Sequence, residues 1–250
     1  MANFNTRTVA DSNAVAKAAA EAIVALAKEC VAKKGSFSLA LSGGSTPKTA
    51  YALMASEPLV SQMPWKQTQL YFGDERHVRP DHPDSNYRMA HESMLKTAPL
   101  PAENVFPIAT DDADVVDAAK RFEKLLHGNF PNVKPGEFPS IDLMLLGIGP
   151  DGHTASLFPG TPAPKEMSNW VTWCDPNSAN PAIKPPVKRV TMTTPVIWSA
   201  ANVFVLATGA EKKPMLAKIF SESEPADAPV SRLLRKCKGQ VTFFLDQAAS

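Results

Sequence analysis

The sequence predicts an α/β protein built on a mostly parallel, doubly wound sheet, and three observations carry that prediction. Short apolar runs at 37–41, 141–146, 201–207 and 241–246 have the length of buried strands. Stretches with helical spacing and helix punctuation alternate with them, as parallel pairing requires. At several strand ends the apolar run gives way to glycines and polar groups, where an open α/β sheet places its ligand crevice.

Taken in order, Asp11 or Ser12 caps a helix whose apolar positions Val15, Ala19, Ala22, Ile23, Leu26 and Cys30 keep the helical period. Gly35 ends it. The strand at 37–41 leads at once into Ser42-Gly43-Gly44-Ser45-Thr46, and Pro47 fits the first turn of a helix reaching about Ala55. Residues 69–72 form the next strand, ahead of Gly73-Asp74-Glu75-Arg76. The polar segment 78–86 carries two prolines and reads as a surface loop, after which Ser85 or Asn86 caps a helix over 87–96. A second long amphipathic helix covers 112–126, and a proline-rich connector covers 130–139.

The central strand at 141–146 is followed by an irregular region over 158–169 and a strand over 188–194. The strand at 201–207 closes with Thr208-Gly209 before a helix over 212–220, and 241–246 supplies the last strand. The 23 prolines gather in connectors, mostly between Pro131 and Pro195. That pattern predicts one domain over 1–250 with elaborated loops or a small loop-rich subdomain within 128–195.

Composition narrows the function classes. The chain has 250 residues, 44% hydrophobic and 20% charged, enough for a sizeable core. A net charge of +1 argues against nucleic-acid or membrane-surface partners, which call for a concentrated basic excess. An anionic small molecule needs only a few local cations. Cys30, Cys174 and Cys237 are odd in number and widely spaced, which disfavours a disulfide framework or a structural zinc site. The first residues lack the apolar core of a signal peptide, and no apolar run of roughly eighteen residues exists. A cytoplasmic protein is expected, as a monomer or weak homodimer.

The most informative stretch is Gly147-Ile148-Gly149-Pro150-Asp151-Gly152-His153 at the end of the central strand. It spells the dinucleotide fingerprint G-x-G-x-x-G, with Asp175 following a second apolar run. Pro159, Pro162 and Pro164 break the crossover helix that fingerprint needs, and Asp151 sets a negative charge where a pyrophosphate would sit. The alternative is catalytic: an imidazole two residues from a carboxylate, on glycines, suits proton transfer near neutral pH. No G-x-S-x-G elbow supplies a serine nucleophile, so a water activated by His153 is the economical mechanism.

Three further junctions offer ligand groups. Gly43, Gly44, Ser45 and Thr46 lie in a strand–loop–helix turn whose free amides and hydroxyls suit a phosphate, although it is not a Walker A loop. Asp74 can hold sugar hydroxyls and Arg76 a phosphate. Lys212, after the 201–207 strand, and Arg189, at the head of its strand, are further cations for an anion. His77, Asp81, His82 and Asp84 match no metal-ligand template, and no metal or other cofactor is expected.

Together, Leu41-Ser-Gly-Gly-Ser-Thr-Pro47, Gly73-Asp-Glu-Arg76 with Ser85-Asn86, the run from Gly147 through Gly160, Arg189-Val-Thr-Met-Thr and Thr208-Gly-Ala-Glu-Lys212 resemble the glucosamine-6-phosphate isomerase/6-phosphogluconolactonase family. The resemblance covers about 37–213 in consistent order. It implies a Rossmann-like three-layer αβα sandwich with a mostly parallel central sheet, and hydrolysis of a small sugar-phosphate lactone in the pentose phosphate pathway. The isomerase/deaminase branch is the alternative; there the Asp-Gly-His motif continues to a glutamate supporting the histidine. Here Phe158 stands in its approximate place, which favours the lactonase branch.

Overall fold

The apolar run read as the central strand is the middle of a seven-stranded parallel sheet in the computed structural model, which describes residues 4–111, 114–221 and 229–250. The strands of that sheet are β1 (Asn5–Val9), β2 (Phe37–Leu41), β3 (Thr68–Phe72), β5 (Val105–Phe106), β6 (Leu143–Leu146), β9 (Asn202–Ala207) and β10 (Gln240–Asp246). Their order is β1-β10-β9-β6-β2-β3-β5. All four residues of β6 are buried, as befits a strand covered on both faces. A second, antiparallel sheet runs β4 (Asp74–Arg76), β8 (Arg189–Met192), β7 (Val171–Cys174).

Among the described residues, seven α-helices pack around the sheets: α1 (Ser12–Lys34), α2 (Ser45–Met54), α3 (Asn86–Ala90), α4 (Val115–Asn129), α5 (Thr194–Ser199), α6 (Lys213–Phe220) and α7 (Pro229–Arg235). Local chemistry fixes their ends. Asp11 accepts the Ala14 amide at 2.8 Å to start α1, and Gly35 ends it in the left-handed conformation at φ 81°. The buried face of α1, including Val15, Ala19, Ile23 and Ala27, follows the spacing read in the sequence. No helix of the described residues is long and apolar enough to cross a membrane.

From β2 the chain proceeds through β3 to β5 on one side, and from β6 through β9 to β10 on the other. The direction reverses between β2 and β6, and the loops after those two strands splay apart there to leave a crevice.

Several elements differ from the sequence reading. The strand at 188–194 is β8 of the small antiparallel sheet, and Asp74–Arg76 is itself a strand pairing with it. The loop over 78–86 is exposed at 79–83, but its end turns inward: Ser85 and Asn86 are both 2% exposed, because their donors are drawn in by Glu75. The helix from there continues beyond α3 as a π turn, His91–Leu95. Positions 112 and 113, the expected start of the long amphipathic helix, lie outside the described residues; Asp114 caps α4. Lys212 sits in the 3₁₀ turn Ala210–Lys212 that precedes α6.

Candidate active site

The loop after β6 is shaped around one imidazole. The Gly149 amide donates to the His153 carbonyl at 2.8 Å and the Gly152 amide to the Gly149 carbonyl at 3.0 Å, so the loop closes on itself. His153 Nδ1 lies 2.5 Å from Asp151 Oδ1, which also accepts the His153 amide at 3.2 Å. A Cβ on Gly149 would come within 2.1 Å of His153 Nδ1 and 2.6 Å of Asp151 Oδ1, so only glycine leaves space for this pair. Burial raises the Asp151 pKa, but hydrogen bonding and charge from His153 outweigh it and hold the carboxyl below its ordinary value. The Phe158 ring stacks on the imidazole at a centroid distance of 4.1 Å.

Beyond His153 the loop is stitched to the small sheet. Ala155 takes a left-handed φ of 48° where it lines the crevice. The next residue, Ser156, is fully buried and donates its hydroxyl to Asp74 Oδ2 at 2.6 Å and its amide to Thr191 Oγ1 at 3.3 Å.

Opposite this loop stands the N-terminus of α2, with Gly44 at φ 114° as its cap and no side chain capping it. Its first amides therefore remain available to an anion. The Tyr51 hydroxyl pins the turn by accepting from the Ser42 amide at 2.9 Å and donating to its carbonyl at 2.8 Å. The Thr46 and Thr208 hydroxyls meet at 3.1 Å, joining the β2 and β9 loops.

The third wall holds two arginines. Arg76 and Arg189 are register partners across β4 and β8, and both line the crevice. Arg76 Nη1 donates to Asn86 Oδ1 at 2.7 Å and to the Asp84 carbonyl at 2.9 Å. Arg189, only 4% exposed, reaches just the carbonyls of Lys184 and Pro185, at 3.4 and 3.5 Å. The Nε of each guanidinium is buried without a hydrogen-bond partner, and among the described residues neither forms an ion pair. Two buried, under-satisfied guanidiniums side by side are what an anion would complete.

Glu75 is 1% exposed and organises this wall from behind. It accepts the amides of Arg76, Asn86 and Tyr87, each at 2.7 Å, and the Ser85 hydroxyl at 3.0 Å. Burial pushes its carboxyl up to about 6, against the pull of the three amides. Asn86 Nδ2 donates to the Asp74 carbonyl at 2.9 Å, and a Cβ on Gly43 would meet Asn86 Oδ1 at 2.3 Å.

The walls enclose a crevice of about 370 Å³. Gly43, Gly44, Ser45, Thr46, Asp74, Arg76, His153, Arg189 and Lys212, drawn from five separate stretches of sequence, all line it. Asp151 does not; it stands behind His153. Asn86, read only as a possible cap, lines the crevice because Ser85 takes the cap by accepting the Arg88 amide. Glu75, whose carboxylate the sequence offers beside that of Asp74 for sugar hydroxyls, is buried behind the wall and does not line the crevice, and Ser156 carries no expectation from the sequence. The signal for Asn86 was present in the doubled cap candidate, since one cap residue leaves the other free. Among the described residues no cluster of three or more His, Cys, Asp or Glu gathers as a metal site.

Fold and site define an α/β protein with a carboxylate-oriented histidine facing a cationic crevice at the switch point of its sheet. The chain belongs to the glucosamine-6-phosphate isomerases/6-phosphogluconolactonase family, whose model matches residues 10–243. It is 38% identical to a 6-phosphogluconolactonase of Nostoc sp., over 96% of this chain and 94% of that protein. A solved 6-phosphogluconolactonase from Trypanosoma cruzi superposes with a TM-score of 0.89 at 36% identity, covering 99% of this chain and 96% of that one. A monomeric glucosamine-6-phosphate deaminase, 20% identical, shares the fold with a TM-score of 0.80, covering 98% of each chain.

Proposed function

We propose that this chain hydrolyses 6-phospho-D-glucono-1,5-lactone to 6-phospho-D-gluconate, the second step of the oxidative pentose phosphate pathway, with His153 as general base. The observation that carries the reading is the His153–Asp151 pair, 2.5 Å apart, at the wall of a crevice whose two arginines each keep a buried Nε without a hydrogen-bond partner. The lactonase names of the relatives support it. Phe158, apolar against the imidazole, fits the lactonase branch rather than the isomerase branch.

Asp151 accepts the proton of Nδ1 and leaves the Nε2 lone pair for a water. The water oxygen attacks C1 of the lactone as Nε2 takes its proton. The tetrahedral oxyanion is met by Arg76 or by amides near Gly43 and Gly44. The C1 to ring-oxygen bond then breaks, and the imidazolium returns its proton to that oxygen. Such assistance is worth about 10²–10⁴-fold. Ser45, Thr46, Lys212 and Arg189 hold the phosphate at the far end and so fix C1 for attack.

The test compares Lys212→Ala on the phosphorylated lactone and on unphosphorylated gluconolactone, by coupled assay on fresh substrate. A raised KM confined to the phosphorylated substrate is the expected result. Equal losses on both would remove Lys212 from the phosphate site.

A further inference from the structure

Phe158 opens the irregular region beyond the His153 loop and is a core residue, 2% exposed. Two functional groups from different elements lie against its ring. The His153 imidazole stacks on it at 4.1 Å with an interplanar angle of 30°. The Arg189 guanidinium, from β8, lies over it with Cζ 5.3 Å from the centroid. Its backbone carbonyl accepts the Thr161 hydroxyl at 2.8 Å and the Thr161 amide at 3.2 Å, which anchors the main chain at this position. We propose that Phe158 is a positioning residue for the lactone reaction, holding the His153 imidazole and the Arg189 guanidinium in fixed relation through one aromatic ring. The inference rests on the general-base role given to His153 above.

The physical case has two parts. Asp151 fixes only one edge of the imidazole, and a single hydrogen bond leaves the ring free to swing about that contact. A stacked phenyl ring supplies the missing plane, so Nε2 is aimed as well as held. Arg189 has weak carbonyl contacts and an orphaned Nε, so the same ring gives its guanidinium a defined seat. The negative face of an aromatic ring also attracts cations, which adds to the seating of the guanidinium. The charged groups facing His153 are Asp151 on its own loop, Asp74 and Arg76 from β4, Arg189 from β8, and Glu211 and Lys212 after β9.

Replacing the ring by an aliphatic side chain releases both groups: Nε2 loses its aim and the guanidinium its seat. The test is Phe158→Leu, with Phe158→Met as the second variant in case leucine prevents folding, and Phe158→Tyr as the variant that keeps the ring. Two readouts are taken: kcat and KM for the phosphorylated and the unphosphorylated lactone, and the NMR signals of the His153 imidazole, which need no substrate.

In the leucine and methionine variants kcat falls on the order of tenfold to a hundredfold on both lactones. KM rises for the phosphorylated lactone alone, since Arg189 has lost its seat, and the imidazole signals of His153 change as the ring takes more than one orientation. Tyrosine keeps kcat within about threefold of the parent, since it keeps the stacked face. A wild-type kcat with unmoved imidazole signals in the aliphatic variants would overturn the proposal and reduce Phe158 to packing. Moved imidazole signals with a wild-type kcat would keep the Phe158 contact and instead remove His153 as the base.

Discussion

The two sheets bury their residues for opposite reasons. In β6 all four side chains, Leu143, Met144, Leu145 and Leu146, are apolar and buried, each contributing by leaving water. In the paired strands β4 and β8 the buried set includes Asp74, Glu75, Arg189 and Thr191. Burying such groups costs free energy unless partners are supplied. The carboxylates have theirs, from Ser156, Asn86, Tyr87 and the Arg76 amide. The two guanidiniums are only partly satisfied. The large sheet is complete as folded; in the proposed function the small one is completed by the phosphate of the substrate.

The sharpest way to break this contrast is at β6. Leu145→Ala should cost about 2–5 kcal/mol in denaturant unfolding while the molecules that remain folded keep their kcat. A fall in kcat per folded molecule would mean the core strand does more than support.

Gly149→Ala is the converse. The new Cβ strikes the end of the His153 side chain rather than the backbone, so the imidazole moves and the fold survives. Activity should drop on the order of a hundredfold with little change in Tm. Wild-type turnover in that variant would show that the glycine is not guarding the His153–Asp151 pair.

Arg189→Met addresses the small sheet directly. Removing a buried, poorly partnered charge for an apolar chain of similar length should leave stability equal or raise it by about 1 kcal/mol, while KM for the phosphorylated lactone rises about tenfold. A destabilised protein with unchanged KM would make Arg189 structural and end the distinction between the sheets.

The last effect, one of pH alone, concerns Glu75. Burial raises its folded pKa from the ordinary 4.5 to about 6. Its stabilising contribution is thus fully present below 4.5 and is lost as pH rises through about 6. That is worth about 2 kcal/mol at this burial. The stability advantage of the parent over Glu75→Gln should shrink by that amount between pH 4.5 and 7 in chemical denaturation. An advantage that grows with pH would show that the three amides outweigh burial.

The same contrast explains what could be read in the sequence. Runs such as 37–41 and 141–146 announce themselves because apolar burial on both faces leaves a continuous pattern. β1, Asn5-Thr-Arg-Thr-Val9, carries no such pattern; it is an edge strand with an exposed face, held by pairing with β10. α7 gave no expectation either, its few residues being too short to show a period. At the site, glycines and an Asp-Gly-His spacing marked the proposed base because backbone geometry and local contact are written in neighbouring residues. The Arg76–Arg189 pairing was illegible, since residues 113 positions apart meet only through a strand register. Glu75 was hidden for a related reason: its partners lie ten to twelve residues ahead, in a loop whose polarity suggested solvent.

The central claim is most directly tested by following release of 6-phosphogluconate from freshly made lactone with His153→Asn, corrected for spontaneous hydrolysis. The parent should turn the lactone over, and the variant, still folded, should lose about 10²–10⁴ in kcat. A variant with near-parental kcat would contradict the account.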